Sequence, residues 1–278
     1  TSLQVVLREA VDEALEVAVE IDKPTEKELK QRLELRYAYI REKLFAEQWD
    51  GLCKAVYFYG IRKQNCQVIA PTGQGKTYYL AGLLRILTDY FPAQFDFMHP
   101  NNAGRTPPIV ITPPKVIAQT MSVFAEFGVI AMVTSLASLR NTLGESCLEF
   151  RTVVLNGQPM IYPFWLMHCA TMFMSVDESQ QVKNEDSVQS QIIESCAACG
   201  IPTHFMSATP YSRVSQAKII ACALAPEVPN PANPSARGFT LTDKVWPSFA
   251  KSLCPDGYSP TDWSPSALRS LQFYLEPY

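Results

Sequence analysis

Ala70-Pro-Thr-Gly-Gln-Gly-Lys-Thr77 has the side chains and the backbone freedom needed to hold a polyphosphate. Gly73 and Gly75 lack a Cβ, so neighbouring N–H groups can turn inward as an anion nest at the start of a helix. In such a nest Lys76 sets its ammonium against the β- and γ-phosphates, and the Thr77 hydroxyl ligates Mg²⁺. The octapeptide fits the phosphate-loop pattern except that Ala70 stands where a first glycine is usual. It lies between a predicted strand, Val68-Ile69-Ala70, and a predicted helix from Lys76 to about Thr88, the context the chemistry requires. Thr72, Gly73, Gln74, Gly75, Lys76 and Thr77 are therefore the expected nucleotide-binding residues, with ATP and Mg²⁺ as the expected ligands.

A second group, Met174-Ser-Val-Asp-Glu-Ser-Gln180, ends an apolar strand in two carboxylates. Carboxylates at the C-terminal edge of a parallel strand sit where open α/β sheets bind ligands. Asp177 is placed to hold Mg²⁺ through its water shell, and Glu178 to polarise an attacking water. An Asp-Glu pair alone is common; 101 residues downstream of Lys76 it becomes informative. A third group, Met206-Ser-Ala-Thr-Pro210, follows another short apolar strand.

Gly-Gln-Gly-Lys-Thr, Asp-Glu-Ser-Gln and Ser-Ala-Thr, in this order from Ala70 to Pro210, resemble motifs I, II and III of superfamily-2 helicases. The resemblance implies a RecA-like first motor domain that couples ATP hydrolysis to movement on DNA or RNA. It implies that Ser207 and Thr209, with Gln180, link the phosphate site to the nucleic-acid surface. Gln48, in Phe45-Ala-Glu-Gln48, resembles the family's upstream adenine-reading glutamine. Ile109-Val-Ile-Thr-Pro-Pro114 resembles motif Ia and implies nucleic-acid contacts at Thr112 and Pro113, and Val133-Thr-Ser135 resembles motif Ib. The segment Leu268–Tyr278 is similar to the crossover into the second domain of Swi/Snf-type ATPases. The chain departs from the family at Gln180, where His or Asp is common. Nothing resembles motifs V and VI, which carry the arginine finger. The expectation is therefore a weak ATPase, completed by a second RecA-like domain or a partner subunit. Two other readings stay open: a nucleotide-binding scaffold without motor activity, and another P-loop ATPase such as a packaging motor.

The elements that must position these groups follow from periodicity. Residues 1–60 read as a helical flank: Leu3, Val6, Leu7, Ala10, Val11, Ala14 and Leu15 recur at helical spacing, Lys23-Pro24 interrupts, and Thr25 with Glu28 forms a capping-box signature. Residues 61–225 alternate strands and helices, which predicts an α/β fold with a mainly parallel sheet covered on both faces. Strands are expected at Pro108–Thr112, Val129–Val133, Met172–Val176 and His204–Met206, with helices at about Lys115–Phe127 and Val188–Cys199. A hairpin is expected around Asn156-Gly157. Residues 226–278 open with four prolines in nine residues, Pro226 to Pro234, and read as an irregular, wrapped extension leading towards a further domain.

Composition narrows the classes. Of 278 residues 47% are hydrophobic and 18% charged, enough for a large core, while the net charge of −3 gives no global attraction to nucleic acid. Binding of that kind needs a local basic surface, backbone N–H donors and hydroxyls. No apolar run reaches membrane-spanning length and no signal peptide is visible. Eight cysteines at irregular spacing, mostly in apolar runs, suit reduced buried thiols and an intracellular or intravirion setting. Cys196 and Cys199 form a lone CxxC, expected on one helix face and without a metal. No role is assigned to His99, His168 or His204, and Arg213 reads as a surface residue.

Overall fold

The computed structural model describes residues 23–71, 73–155, 158–166, 170–183, 187–208, 213–224, 227–228, 239–240, 245–254, 259–261 and 264–275. The expected helix over 1–22, Thr72, Thr209, and most of the proline-rich stretch lie outside these.

Among the described residues the first helix begins where the capping box places it. In α1 (Glu26–Arg36) the Glu28 carboxylate accepts from the Thr25 N–H at 2.8 Å, and the Thr25 hydroxyl accepts from the Glu28 N–H at 3.3 Å. Helix α1 buries Leu29 and Leu33. After the short α2 (Ala38–Arg41), α3 (Ala46–Tyr57) buries Trp49, Leu52, Cys53 and Val56, a helical stripe. It runs on into one π-helical turn, Phe58–Arg62, which ends at Lys63 in a left-handed conformation with φ 56°.

From Cys66 to Ser207 the described residues form seven strands: β1 (Cys66–Ile69), β2 (Ile109–Ile111), β3 (Met132–Thr134), β4 (Leu148–Leu155), β5 (Gln158–Trp165), β6 (Met174–Asp177) and β7 (Thr203–Ser207). Five form one wholly parallel sheet in the order β1-β7-β6-β2-β3. The helices between them are α4 (Lys76–Tyr90), the one-turn α5 (Pro92–Phe95), α6 (Ile117–Phe127), α7 (Leu139–Cys147), α8 (Val188–Ala198) and, after β7, α9 (Lys218–Leu224). This is the RecA-like α/β arrangement the motif order implied. The expected strand at Val129–Val133 starts later, because Val129 is drawn back to cap α6: its N–H bonds the Phe124 carbonyl at 2.8 Å.

Side-chain alternation puts one core on each face of the sheet. Val110, Phe173 and Met206 point into a core shared with α1, α3, α4 and α6, while Ile109, Ile111, Met174, Val176 and Phe205 point into a core shared with α7, α8 and α9. At about 1.5–3 kcal/mol for each fully buried large apolar side chain, these two cores outweigh any single polar contact in the molecule. The hairpin is longer than the Asn156-Gly157 signal suggests: β4 and β5 pair antiparallel over eight residues each, from Leu148↔Trp165 to Leu155↔Gln158. The tail departs from the expected irregularity. Helices α10 (Trp246–Ser252) and α11 (Pro265–Leu275) send Trp246, Phe249, Ala267 and Leu271 into the second core. Pro247 and Pro265 stand in the first turns of these helices, where a missing N–H costs nothing, so they start helices instead of breaking them. Cys196 is buried in α8, and Cys199, one turn on at its C-cap, is exposed.

Under α4 the first core holds a buried aromatic cluster. His204 stacks on Tyr79 with ring centroids 5.8 Å apart, and its Nδ1 lies 2.9 Å from the Tyr59 hydroxyl. That hydroxyl also donates to the Thr203 carbonyl at 2.9 Å and accepts from the Cys66 N–H at 3.0 Å, so its own bonds are complete when His204 is neutral and protonated on Nδ1, while His204 Nε2 is buried with no partner among the described residues. Burial pulls the His204 pKa down to about 3 from 6.5. A depressed histidine contributes stability that is complete above 6.5 and is lost as pH falls towards 3, with a slope of about 1.4 kcal/mol per pH unit for one proton. His204→Phe keeps the ring stack and removes the titration. Urea unfolding at pH 7 and pH 4.5 should show a smaller acid loss of stability in the variant than in the parent; equal losses would contradict the assignment.

Candidate nucleotide site

Parallel pairing brings three strand ends level. Ile69 of β1 is in register with Ser207 of β7, and Met206 of β7 with Asp177 of β6. One further backbone bond, from the Ala70 N–H to the Ser207 carbonyl at 3.1 Å, fastens the start of the phosphate loop to the end of β7. The loop then turns through Gly73 at φ 83° and Gly75 at φ 65°. Gly75 is the N-cap of α4, and no side chain caps that helix start, so its first N–H groups face the loop.

Gln48 stands against this turn. From the first turn of α3 its Oε1 accepts from the Phe45 N–H at 2.9 Å, while its Nε2 donates to the Gln74 carbonyl. A Cβ on Gly75 would fall 3.0 Å from Gln48 Nε2, so glycine answers both the positive φ and the close approach. Beside the loop a cleft of about 190 Å³ is lined by Glu47, Gln48, Gly51, Ile69, Gln74 and Tyr79, among others. Glu47 and Tyr79 carried no sequence signal; Tyr79 lies one helical turn from Lys76, and Glu47 lies one turn from Gly51, which also lines the cleft.

Lys76 is largely buried and donates to the Ala70 carbonyl at 3.2 Å, with Glu178 Oε1 at 3.9 Å. Glu178 Oε2 accepts from Gln180 Nε2 at 2.6 Å, and Gln180 Oε1 accepts from the Ser207 hydroxyl. The residue at 180 must accept from a hydroxyl and donate to a carboxylate at once, and an amide does both. The result is a polar chain, Lys76–Glu178–Gln180–Ser207, running from the loop across β6 to the end of β7. Glu178 itself is left-handed, φ 55°, strain of a kind that concentrates at functional sites. Ser179 beside it has a buried hydroxyl with no partner among the described residues, and sequence reasoning passed over it.

Asp177 is held from two sides. Its Oδ1 accepts from the Glu178 N–H at 3.0 Å, and its Oδ2 accepts from the Thr112 hydroxyl at 3.3 Å. Burial, and then the neighbouring Glu178 charge, push its pKa above the ordinary value, against the pull of Lys76. Thr112 is thus buried at the end of β2 with its hydroxyl on Asp177, and the half-buried Pro113 follows it. Thr77 is half-buried in the first turn of α4. The Ser135 hydroxyl closes a local turn by accepting from the Ser138 N–H at 3.1 Å. Arg213 is exposed. Among the described residues no three His, Cys, Asp or Glu side chains cluster as a metal cage, and no helix is long and apolar enough to cross a membrane.

The raised Asp177 pKa has a definite sign. The native state binds this proton more tightly than the unfolded chain, so stability falls as pH rises from 3.8 through the raised value, and ionised Asp177 is a net cost at neutral pH. Asp177→Asn keeps an acceptor for the Glu178 N–H and removes the charge. Its melting temperature at pH 7 should equal or exceed the parent's, with the difference closing near pH 4; a lower value at pH 7 would show that the charge stabilises the fold.

No family model and no curated protein matches the sequence. Among solved structures the chain is similar to the Sulfolobus solfataricus SWI2/SNF2 ATPase core in complex with dsDNA, with a TM-score of 0.49 and 14% identity. The match covers 84% of this chain and 43% of that one, so the chain spans less than half the length of that structure.

Proposed function

We propose that the chain is the ATP-binding and ATP-hydrolysing first motor domain of a superfamily-2 helicase or nucleic-acid translocase. The observation that carries this reading is the polar chain from Lys76 through Glu178 and Gln180 to Ser207. A phosphate loop that only bound a nucleotide would need Lys76 and the helix start. It would not need its candidate general base tied through an amide to the end of the neighbouring strand.

In this reading the N–H groups around Gly73, Gly75 and the start of α4 receive the phosphates, and Lys76 leaves the Ala70 carbonyl to neutralise the terminal ones. Gln48, already against the loop, is placed to read the adenine edge. Glu178 orients the attacking water. Asp177 and Thr77 are the residues that would hold Mg²⁺. One half-buried carboxylate with a hydroxyl fits a hard cation that takes its other ligands from phosphate and water, and not a soft metal needing a cage. When bound, Mg²⁺ supplies charge neutralisation on the phosphates. Thr72 and Thr209 keep the nucleotide and coupling roles that their motifs imply. Pro113 and the backbone after β2 remain the proposed nucleic-acid contacts, with Thr112 acting through Asp177. An arginine finger, worth roughly 10³–10⁵ in rate, has to come from a second RecA-like domain or a partner subunit.

The test compares two variants in the intact protein with nucleic acid present. Lys76→Ala should lose nucleotide binding and turnover together. Glu178→Gln keeps size and hydrogen bonding, so it should retain nucleotide affinity while hydrolysis falls by roughly 10²-fold or more. Normal hydrolysis by Lys76→Ala, or equal loss of binding and turnover in Glu178→Gln, would contradict the reading.

A further inference from the structure

A second cavity lies at the opposite edge of the sheet. Its volume is about 640 Å³, within the range of small-molecule sites, and it opens where the strands begin. Asn65 precedes β1, Pro202 precedes β7 and Met172 precedes β6, and all three line it. The phosphate loop lies beyond the other ends of these strands, so the two sites are separated by the length of the sheet.

The lining has two characters. Phe95, Met172, Cys222 and Leu224 supply apolar surface, together with the ring of Tyr59. The lining also holds amide side chains and two cations, Lys63 and Arg105, and no carboxylate among the described residues. The rim is built and not loose. Asn65 donates to the Ala223 carbonyl at 2.6 Å and accepts from the Thr203 N–H at 2.8 Å. Arg105 donates to the Ala170 and Thr171 carbonyls at 2.8 and 3.0 Å.

Lys63 is the unusual member. It sits in a left-handed conformation at the end of the π-helical turn, and its ammonium donates to the Gly60 carbonyl at 2.8 Å and to Gln94 Oε1. An ammonium has three hydrogens, so one remains for the cavity. No described carboxylate pairs with it. Desolvation, and then the Lys23 charge, lower its pKa. A lysine serving only to cap the Gly60 carbonyl would need neither a cavity nor an acid-free wall. Lys63 is exposed at the cavity, and an anion entering here would give its ammonium a charge-assisted hydrogen bond.

We infer that this cavity binds a small organic anion, a carboxylate or phosphate ester on a flat apolar body, with Lys63 as its charge partner. The apolar wall takes the body, and the ammonium with the amide side chains takes the charged end.

The test uses phenyl phosphate and benzoate as anionic probes and benzamide as the neutral isostere, titrated calorimetrically into the 278-residue chain carrying Lys76→Ala, so that the phosphate loop does not compete. Both anions should bind saturably and benzamide should not. Adding Lys63→Gln should weaken phenyl phosphate by roughly ten-fold or more, the loss of one charge-assisted hydrogen bond, while Lys63→Arg should retain it. Phenyl phosphate should also slow alkylation of Cys222 in the parent chain, read by peptide mass mapping, which places the probe without any substitution. Benzamide binding as well as phenyl phosphate, unchanged affinity in Lys63→Gln, unprotected Cys222, or no saturable binding at millimolar probe would each overturn the inference.

Discussion

Strand β7 lies between β1 and β6 although it is the last of the three in sequence, and the geometry of the candidate site follows from that insertion. Its pairing on both sides is parallel and in fixed register, Ile69 with Ser207 and Met206 with Asp177. A slip of one residue would turn Phe205 and Met206 to the wrong faces and unseat both cores, so the packing enforces the register. Because the register is enforced, the end of β7 can hold the Ala70 N–H on one side and reach Gln180 on the other. The phosphate loop and the carboxylates are thus tied to one strand, and a shift of that strand moves both.

Several site features cost stability locally. Asp177 is half-buried beside a like charge, Glu178 adopts a left-handed backbone, and the Ser179 hydroxyl is buried without a partner among the described residues. None of these is explained by packing, and all three are adjacent in sequence. The aromatic cluster under α4, with neutral His204 against Tyr59 and Tyr79, does the reverse: it is a buried, rigid support for the helix that starts at the loop. Such a division, strain at the strand end and close packing beneath it, holds polar groups in a geometry they would not keep in isolation.

Much of this was legible in residue types alone. The glycines and Lys76, the Asp-Glu pair after an apolar strand, and the Thr25–Glu28 cap act through neighbours in sequence, so spacing reveals them. The strand order was legible only as a class, parallel with helices on both faces, because which strands adjoin depends on long-range packing. Gln180 illustrates the limit. As a departure from the usual fourth motif residue it carried doubt, and its role as donor and acceptor emerges once β6 and β7 are side by side. The cavity around Lys63 left no trace in sequence, since its lining is gathered from the starts of three strands and the ends of several helices. The tail misled for a local reason: the helices lie beyond the proline cluster, and the single prolines Pro247 and Pro265 fall in first turns, where they do not break a helix.

The central claim is that Gln180 and Ser207 act as one link between the phosphate site and the surface where strand movement is felt. A double-mutant cycle on Gln180→Ala and Ser207→Ala tests it, read as the ratio of nucleic-acid-stimulated to basal ATP hydrolysis in the intact protein. If the link is real, each single variant lowers the ratio, nucleotide affinity is kept, and the double variant is no worse than the worse single. The expected coupling is about 1 kcal/mol, the worth of the hydrogen bond between them. Additive effects, or a ratio unchanged from the parent, would mean that the bond is a structural contact and that the two sites are not joined through it.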